Sequence, residues 1–350
     1  MRYRTLGGTG IEVSTYCLGT MMFGAVGNPD HDDCVRTVHR ALDAGINFVD
    51  TADMYSAGES ETIVGKALGG ARRDDVVLAT KFHFPMGNGR NRGGNSRRWI
   101  MRAVEDSLRR LDTDRIDLYQ VHRSDHTTDI EETLGALDDL RRQGKILAFG
   151  CSTFPAEDLV EAHHTAERLA LPRFRTEQPP YSLLARGIET TILPVARRYG
   201  MGVMTWSPLA SGFLSGKYRA SRPVDLDAGR ARLHPNRFDP ALPENQVKLA
   251  VAEQLADLAE SLGRTLPELA VAFPLAHPAV TSVIIGPRTQ DQLDSLLKGA
   301  TLTLDDATLD RIDEIVPPGT NLYHPDGAWR HPALDDTSAR RRPEGERAAA

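Results

Sequence analysis

The chain has 350 residues, 40% of them hydrophobic, and a formal net charge of −6, which suits one large domain and gives no bulk attraction to phosphate backbones, against a nucleic-acid partner. No apolar run approaches the roughly 18 residues of a membrane span, and Met1-Arg2-Tyr3-Arg4-Thr5 lacks the apolar stretch of a secretory signal, so the expected location is the cytoplasm, away from membranes. Cys17, Cys34 and Cys151 are widely spaced and form no Cys-x-x-Cys pair, which argues against a structural disulfide or a metal cluster.

Along the chain, strand and helix alternate with a period of roughly 30 to 40 residues, the mark of repeated βα units. Tyr3 to Val13, with Gly7-Gly8-Thr9-Gly10 at its turn, reads as a hairpin ahead of the first unit, Cys17-Leu18-Gly19 and a helix near Asp32 to Ala44 that stops at Gly45. Strand two is Asn47 to Asp50, with a helix from about Ser60, a candidate cap, to Leu68. Strand three is Val76 to Lys81, followed by an amphipathic helix from Arg97 to Leu111. Strand four is Asp117 to Val121, with a helix from Ile130 to Arg142 ending at Gly144. Strand five runs from Ile146 to Cys151, its helix from Pro155 to about Leu169, and a short sixth strand ends at Gln178. Strand seven, Gly202 to Thr205, opens into the longest irregular stretch, Ser207 to Pro243, whose length suggests a function. Helices Glu244 to Leu262 and Leu266 to Ala276 lead to strand eight, Ser282 to Ile285, and helices Gln290 to Leu297 and Asp305 to Val316 close the fold.

The buried strands finish in Asp50, Lys81, His122, Ser152, Gln178, Trp206 and, after Gly286, Arg288. A parallel sheet covered by helices reads as apolar runs, and a polar residue is tolerated at the strand end that faces the loops. In barrels that end carries the chemistry. The expected fold is therefore α/β, a (β/α)8 TIM barrel with an N-terminal β-hairpin and extra C-terminal helices. It fills residues 1–320 as a single domain, and 321–350 is a polar tail, loose or draped over the surface.

Taken alone, Asp50 reads as a capping carboxylate and Tyr55 as a packed aromatic. Lys81, at the end of an apolar run, must snorkel or meet a carboxylate. With His122 at the equivalent height, the four side chains make a proton donor, because an ammonium beside a phenol favours the phenolate and brings its pKa down.

Asp50, Tyr55, Lys81 and His122 resemble the tetrad of the aldo-keto reductase superfamily in order, spacing and flanking sequence. The likeness spans most of the barrel and includes Asp117-Leu118-Tyr119-Gln120-Val121-His122, Gly150-Cys151-Ser152, Gln178-Pro179-Pro180-Tyr181-Ser182, Trp206-Ser207-Pro208-Leu209, Gly216-Lys217-Tyr218 and Ile285-Gly286-Pro287-Arg288. It implies a bacterial-type, NADPH-dependent oxidoreductase that reduces aldehyde or ketone carbonyls. Tyr55 would protonate the carbonyl oxygen, Lys81 lower its pKa, Asp50 hold Lys81 and His122 orient the carbonyl.

The sequence has no Gly-x-Gly-x-x-Gly after a strand and no Walker loop, which argues against a Rossmann dehydrogenase. The resemblance implies an extended NADPH/NADP+ across the barrel mouth instead. Gly19, Thr20 and Asp50 would border it, Ser152 and Gln178 grip the carboxamide, and Trp206 stack on the nicotinamide. Ser207, Pro208, Leu209, Ser211, Gly212 and Lys217 would cover the pyrophosphate. Gly286, Arg288 and Gln292 would meet the adenosine end, with Arg288 on a 2′-phosphate. Thr153 stands where the family commonly has Asn, and Ser295 where many members have Asn.

Substrate residues are less defined. Met21, Met22, Phe23, His83 and Phe84 line a pocket or simply pack, and Arg123 meets either an anionic substrate or a neighbouring Asp such as Asp125; with Tyr55 and His122 these form the expected substrate site for a small-molecule carbonyl. The barrel also looks similar to reductases of nucleotide-linked deoxysugars and to the potassium-channel β subunits, a redox-sensing alternative. Physiological substrate, reaction direction and oligomeric state stay open.

Overall fold

The computed structural model describes residues 1–221, 223–227 and 229–347, and its eight parallel strands close into one barrel. An antiparallel hairpin comes first, β1 (Tyr3–Thr5) and β2 (Glu12–Ser14), joined through a 3-10 turn at Gly7–Thr9. There follow β3 (Tyr16–Gly19), α1 (His31–Asp43), β4 (Phe48–Asp50), α2 (Glu59–Leu68), β5 (Val77–Phe82), α3 (Arg97–Leu111), β6 (Ile116–Val121), α4 (Ile130–Arg142), β7 (Ile146–Ser152) and α5 (Ala156–Arg168). The second half adds β8 (Thr176–Gln178), α6 (Ile192–Arg198), β9 (Gly202–Thr205), α7 (Gly229–Leu233), α8 (Pro243–Ser261), α9 (Leu266–Ala276), β10 (Val280–Ile285), α10 (Gln290–Leu297) and α11 (Asp306–Ile315). Around the barrel the order is β10-β3-β4-β5-β6-β7-β8-β9, and β10 pairs with both β3 and β9 to complete the ring.

The pattern of the chain explains these elements. Every residue of β6 and β10 is buried, as expected for strands covered on both faces. Helix α3 buries Trp99, Ile100, Ala103, Val104, Ser107, Leu108 and Leu111, one stripe at helical spacing, and the Ser96 hydroxyl caps it by accepting from the Trp99 amide. A capping box of Thr265 and Glu268 starts α9.

The hairpin seals one end of the barrel. Leu6 and Val13 are fully buried with Cys17, Phe48, Ala79, Leu118, Ala148, Met204 and Ile284 in an apolar cluster inside the ring. Gly7 has φ of 53°, and a Cβ there would lie 2.5 Å from the Arg175 carbonyl and 2.8 Å from the Gly202 amide, so the turn is pressed against the starts of β8 and β9. The strand C-terminal ends form the opposite mouth.

Several sequence expectations shift. The cap of α2 is Gly58, not Ser60, whose hydroxyl instead donates to the Thr20 carbonyl and so ties α2 to β3. Helix α6 has seven residues, too few for a clear periodicity. The long stretch after β9 contains 3-10 turns at Ala210–Gly212 and Pro235–Arg237 as well as α7. From Asn321 the chain pairs with Ala185, sets Asp326 against Arg237 (3.2 Å) and Lys248 (3.4 Å), and places Trp329 and His331 beside the His126 ring. Cys17, Cys34 and Cys151 are buried free thiols. Among the described residues no helix is long and apolar enough to cross a membrane.

Candidate active site

Successive strands deliver polar side chains to the same mouth. Asp50 ends β4, Lys81 is one residue from the end of β5, His122 follows β6, Ser152 ends β7, Gln178 ends β8 and Trp206 follows β9. Lys81 is fully buried. Its Nζ donates to Asp50 Oδ2 at 2.6 Å, to the Thr51 carbonyl at 2.8 Å and to the Tyr55 hydroxyl at 3.4 Å. Asp50 Oδ1 accepts from Gln178 Nε2 at 2.9 Å and Gln120 Nε2 at 3.3 Å, so two amides and an ammonium fix the carboxylate. The His122 ring stands edge-on to Tyr55 with centroids 5.9 Å apart, and the Phe84 ring also meets it edge-on, at 4.9 Å. Thus the structure brings Asp50, Tyr55, Lys81 and His122 into one cluster.

The local electrostatics define protonation. Burial works against the Lys81 charge, but Asp50 and Tyr55 outweigh it and hold the ammonium above its ordinary pKa. Burial raises the Tyr55 pKa and Lys81 lowers it; burial wins, so the net shift is upward, opposite to the drop expected from the ammonium alone. The phenol therefore keeps its proton near neutrality. Burial, then the Lys81 and Arg123 charges, push His122 well below the ordinary histidine range, so its imidazole is neutral, and among the described residues its buried Nδ1 has no partner.

The remaining expected residues spread around this cluster. Ser152 Oγ donates to the Gln178 carbonyl at 2.9 Å, and Thr153, at φ of 56°, accepts from Arg123 Nη1 at 3.2 Å. Trp206 is half-buried, its ring packed on the inner cluster and its backbone paired with Pro179 and Tyr181. Ser207 and Ser211 have φ of 59°, and the Ser207 hydroxyl accepts from the Ser211 amide at 2.8 Å. Pro208 is buried, Leu209 half-buried and Lys217 exposed. Gly212, Gly216 and Gly286 each face open space, since a Cβ built there would meet nothing within 4 Å. Arg288 is exposed, and its amide donates to Gln292 Oε1 at 2.8 Å.

Two residues sit where packing accounts for them. Gly19 has Ile284 Cγ2 2.5 Å from where its Cβ would be, and Thr20 is fully buried with its hydroxyl on the Asp50 carbonyl. Phe23 is core, Met21 is exposed, and His83 Nδ1 lies 2.9 Å from Asn95 Oδ1. Arg123 does not pair with Asp125, which accepts from Asn95, Thr127 and Thr128 instead.

The sequence did not single out Gln120, Glu177, Arg230 and Arg237, which the structure places at or beside the mouth. Arg230 is within electrostatic reach of Tyr55 and Arg237, and Arg237 Nη1 lies 3.4 Å from Ser211 Oγ. Both arginines fall in the stretch that read as irregular, so no periodicity pointed to the mouth. Gln120 was visible as a polar residue inside an apolar strand.

A parallel barrel whose mouth holds a buried lysine–carboxylate pair beside a phenol and a neutral imidazole defines a class, and the comparisons agree with it. The Aldo/keto reductase family profile matches residues 16–317. The chain is 41% identical to the uncharacterized oxidoreductase YrpG of Bacillus subtilis, over 91% of this chain and 96% of that protein. It is 35% identical to a probable voltage-gated potassium channel subunit beta of Arabidopsis thaliana, over 90% and 97%, and 36% identical to the aldo-keto reductase YhdN of Bacillus subtilis, over 87% and 91%. The chain belongs to the aldo/keto reductase family.

Proposed function

We propose that the protein is an NADPH-dependent reductase of aldehyde or ketone carbonyls, acting on small molecules in the cytoplasm. The observation that carries this reading is the fully buried Lys81 within reach of both Asp50 and the Tyr55 hydroxyl. Bound NADPH would supply a hydride to the carbonyl carbon. Tyr55 then gives its proton to the carbonyl oxygen, a step that as general acid contributes roughly 10² to 10⁴ in rate. As the phenol loses its proton, the Lys81 ammonium stabilises the oxygen left behind, and Asp50 keeps that ammonium charged and in place. His122, being neutral, orients the carbonyl through a hydrogen bond without competing as an acid.

The residues fit a dinucleotide. Ser152, with Gln178, Thr153 and Asp50, would hold the carboxamide, and the Trp206 ring would support the nicotinamide. The 207–217 segment offers hydroxyls and open glycines at Gly212 and Gly216 for close approach of a pyrophosphate, with Lys217, Arg230 and Arg237 to balance its charge. Gly19 and Thr20 would border the cofactor, Gly286 leave room for the adenosine, and exposed Arg288 with Gln292 meet its 2′-phosphate.

The test is direct. Purified protein mixed with NADPH and a panel of aromatic and aliphatic aldehydes is expected to consume the nicotinamide absorbance; tight NADPH binding without turnover on any carbonyl contradicts the proposal. The likeness to potassium-channel subunits favours a second reading, a redox-sensing NADP-binding partner of a membrane protein. Slow turnover together with recovery of a channel on the immobilised chain would select it.

A further inference from the structure

Arg123 follows His122 directly, and its guanidinium sits beside Thr153 and Phe84 at the mouth. Its Nη1 donates to the His122 carbonyl at 2.6 Å and to Thr153 Oγ1 at 3.2 Å, and its charge lies over the Phe84 ring at 5.8 Å. Those contacts fix the plane of the fork and use one nitrogen. Among the described residues, Nη2 and Nε make no hydrogen bond, and no carboxylate forms an ion pair with the group.

The neighbouring carboxylates are all engaged elsewhere. Asp125 is turned to Asn95, Thr127 and Thr128. Asp158 accepts from the Ser124 hydroxyl. Glu177, the carboxylate whose charge reaches Arg123, faces away and accepts from the Cys151 thiol at 3.0 Å and the Phe154 amide at 3.2 Å. Arg123 is half-buried, and a partly desolvated cation is costly unless a counter-charge meets it. Here that cation and the Tyr55 phenol lie within electrostatic reach of each other.

We infer that Arg123 anchors a carboxylate on the substrate, so that the preferred carbonyl compounds are small oxo acids whose aldehyde or ketone reaches Tyr55 while the acid meets the guanidinium. The inference rests on the reductase reading given above and narrows it to a substrate class. The planar fork suits a carboxylate bidentately. Phe84, which lies under the Arg123 guanidinium and meets the His122 ring edge-on, sets the spacing between the anchor and the reacting carbonyl. Arg230 is the other cation near Tyr55 without a carboxylate partner among the described residues; it lies beside Met22 and Arg237 on the segment assigned to the dinucleotide.

Two substrate pairs test this: para-carboxybenzaldehyde against its methyl ester, and succinic semialdehyde against its amide. The charged member of each pair is expected to have kcat/KM about tenfold higher, mainly through KM, the size of one charge-assisted contact. In Arg123→Met that ratio falls to about one, and Arg123→Lys keeps an intermediate ratio, while the NADPH dissociation constant of both variants stays within about twofold of the parent. A parental ratio near one, an equal loss on charged and neutral members, or a main effect on NADPH binding overturns the inference. A second readout is independent of turnover: para-(hydroxymethyl)benzoate should bind the NADP⁺ complex of the parent about tenfold tighter than that of Arg123→Met. Carboxylate binding that disappears in Arg123→Met without turnover on any aldehyde would refute the reductase reading and leave the anchor standing; turnover without carboxylate preference refutes the anchor alone.

Discussion

The two ends of this barrel are built from the same eight strands yet follow opposite rules. At the closed end Leu6, Val13, Phe48, Leu118 and Met204 fill the ring with apolar side chains. At the mouth, two to four residues beyond Phe48, Ala79 and Leu118, the strands deliver Asp50, Lys81 and His122, joined by Gln178, and the loops hold Ser56, Ala57, His83, Thr153, Ser207 and Ser211 at positive φ. Buried charge and left-handed backbone cost stability, and the mouth combines the fully buried Lys81–Asp50 pair with several left-handed loop residues. The apolar packing of the ring and its helices is thus the frame within which the mouth holds the buried Lys81–Asp50 pair in place.

That contrast can be broken at either end. The largest effect is expected from Asp50→Leu, which leaves Lys81 charged and buried without its carboxylate and should destabilise the fold by roughly 3 to 5 kcal/mol in urea denaturation. Adding Lys81→Met to it should recover most of that loss and none of the turnover. Leu6→Ala at the sealed end is expected to cost roughly 2 to 4 kcal/mol while kcat/KM stays near that of the parent. A comparable loss of activity would show that the two ends are not separable.

Behind the mouth, Glu177 gives a pH signature. Burial raises its carboxyl from an ordinary 4.5 to about 7. The folded state therefore binds this proton more tightly than the unfolded one, and the group's contribution to stability falls as pH rises through that interval. Glu177→Gln should stabilise the protein at about pH 8 by up to roughly 3 kcal/mol and have little effect at about pH 5. Equal urea midpoint shifts at both pH values would contradict it. The smallest effect belongs to the surface: Arg40→Ala removes an ion pair with Asp294 whose two side chains are half exposed, and the change in melting free energy should stay below about 1 kcal/mol.

Much of the fold was legible because both signals were strong. Apolar runs such as Val280 to Ile285 ending in polar residues marked the strands, and stripes such as Trp99, Val104 and Leu111 marked the helices. The clustering of Asp50, Tyr55, Lys81 and His122 was legible in part because Lys81 contradicts the run it terminates, and in part through the resemblance of these four positions to a family pattern. Ser60 misled because a hydroxyl near a helix start looks like a cap, whereas this one bonds across to β3. The direction of the Tyr55 pKa could not be read either, because it depends on how deeply the phenol is buried, a tertiary quantity. Arg230 and Arg237 stayed hidden because their placement comes from a long irregular segment folding back over the mouth, which leaves no local pattern. Arg123 had two readings in sequence, an anionic substrate or a neighbouring Asp, and the turn of Asp125 toward Asn95, Thr127 and Thr128 removed the pairing with Asp125.

The most direct measurement is the turnover of Tyr55→Phe with NADPH and the best aldehyde substrate, alongside its NADPH dissociation constant. Loss of the hydroxyl should cut kcat by at least about a hundredfold and leave the dissociation constant within about twofold. Full activity in that variant would contradict the assignment of the phenol beside Lys81 as the proton donor.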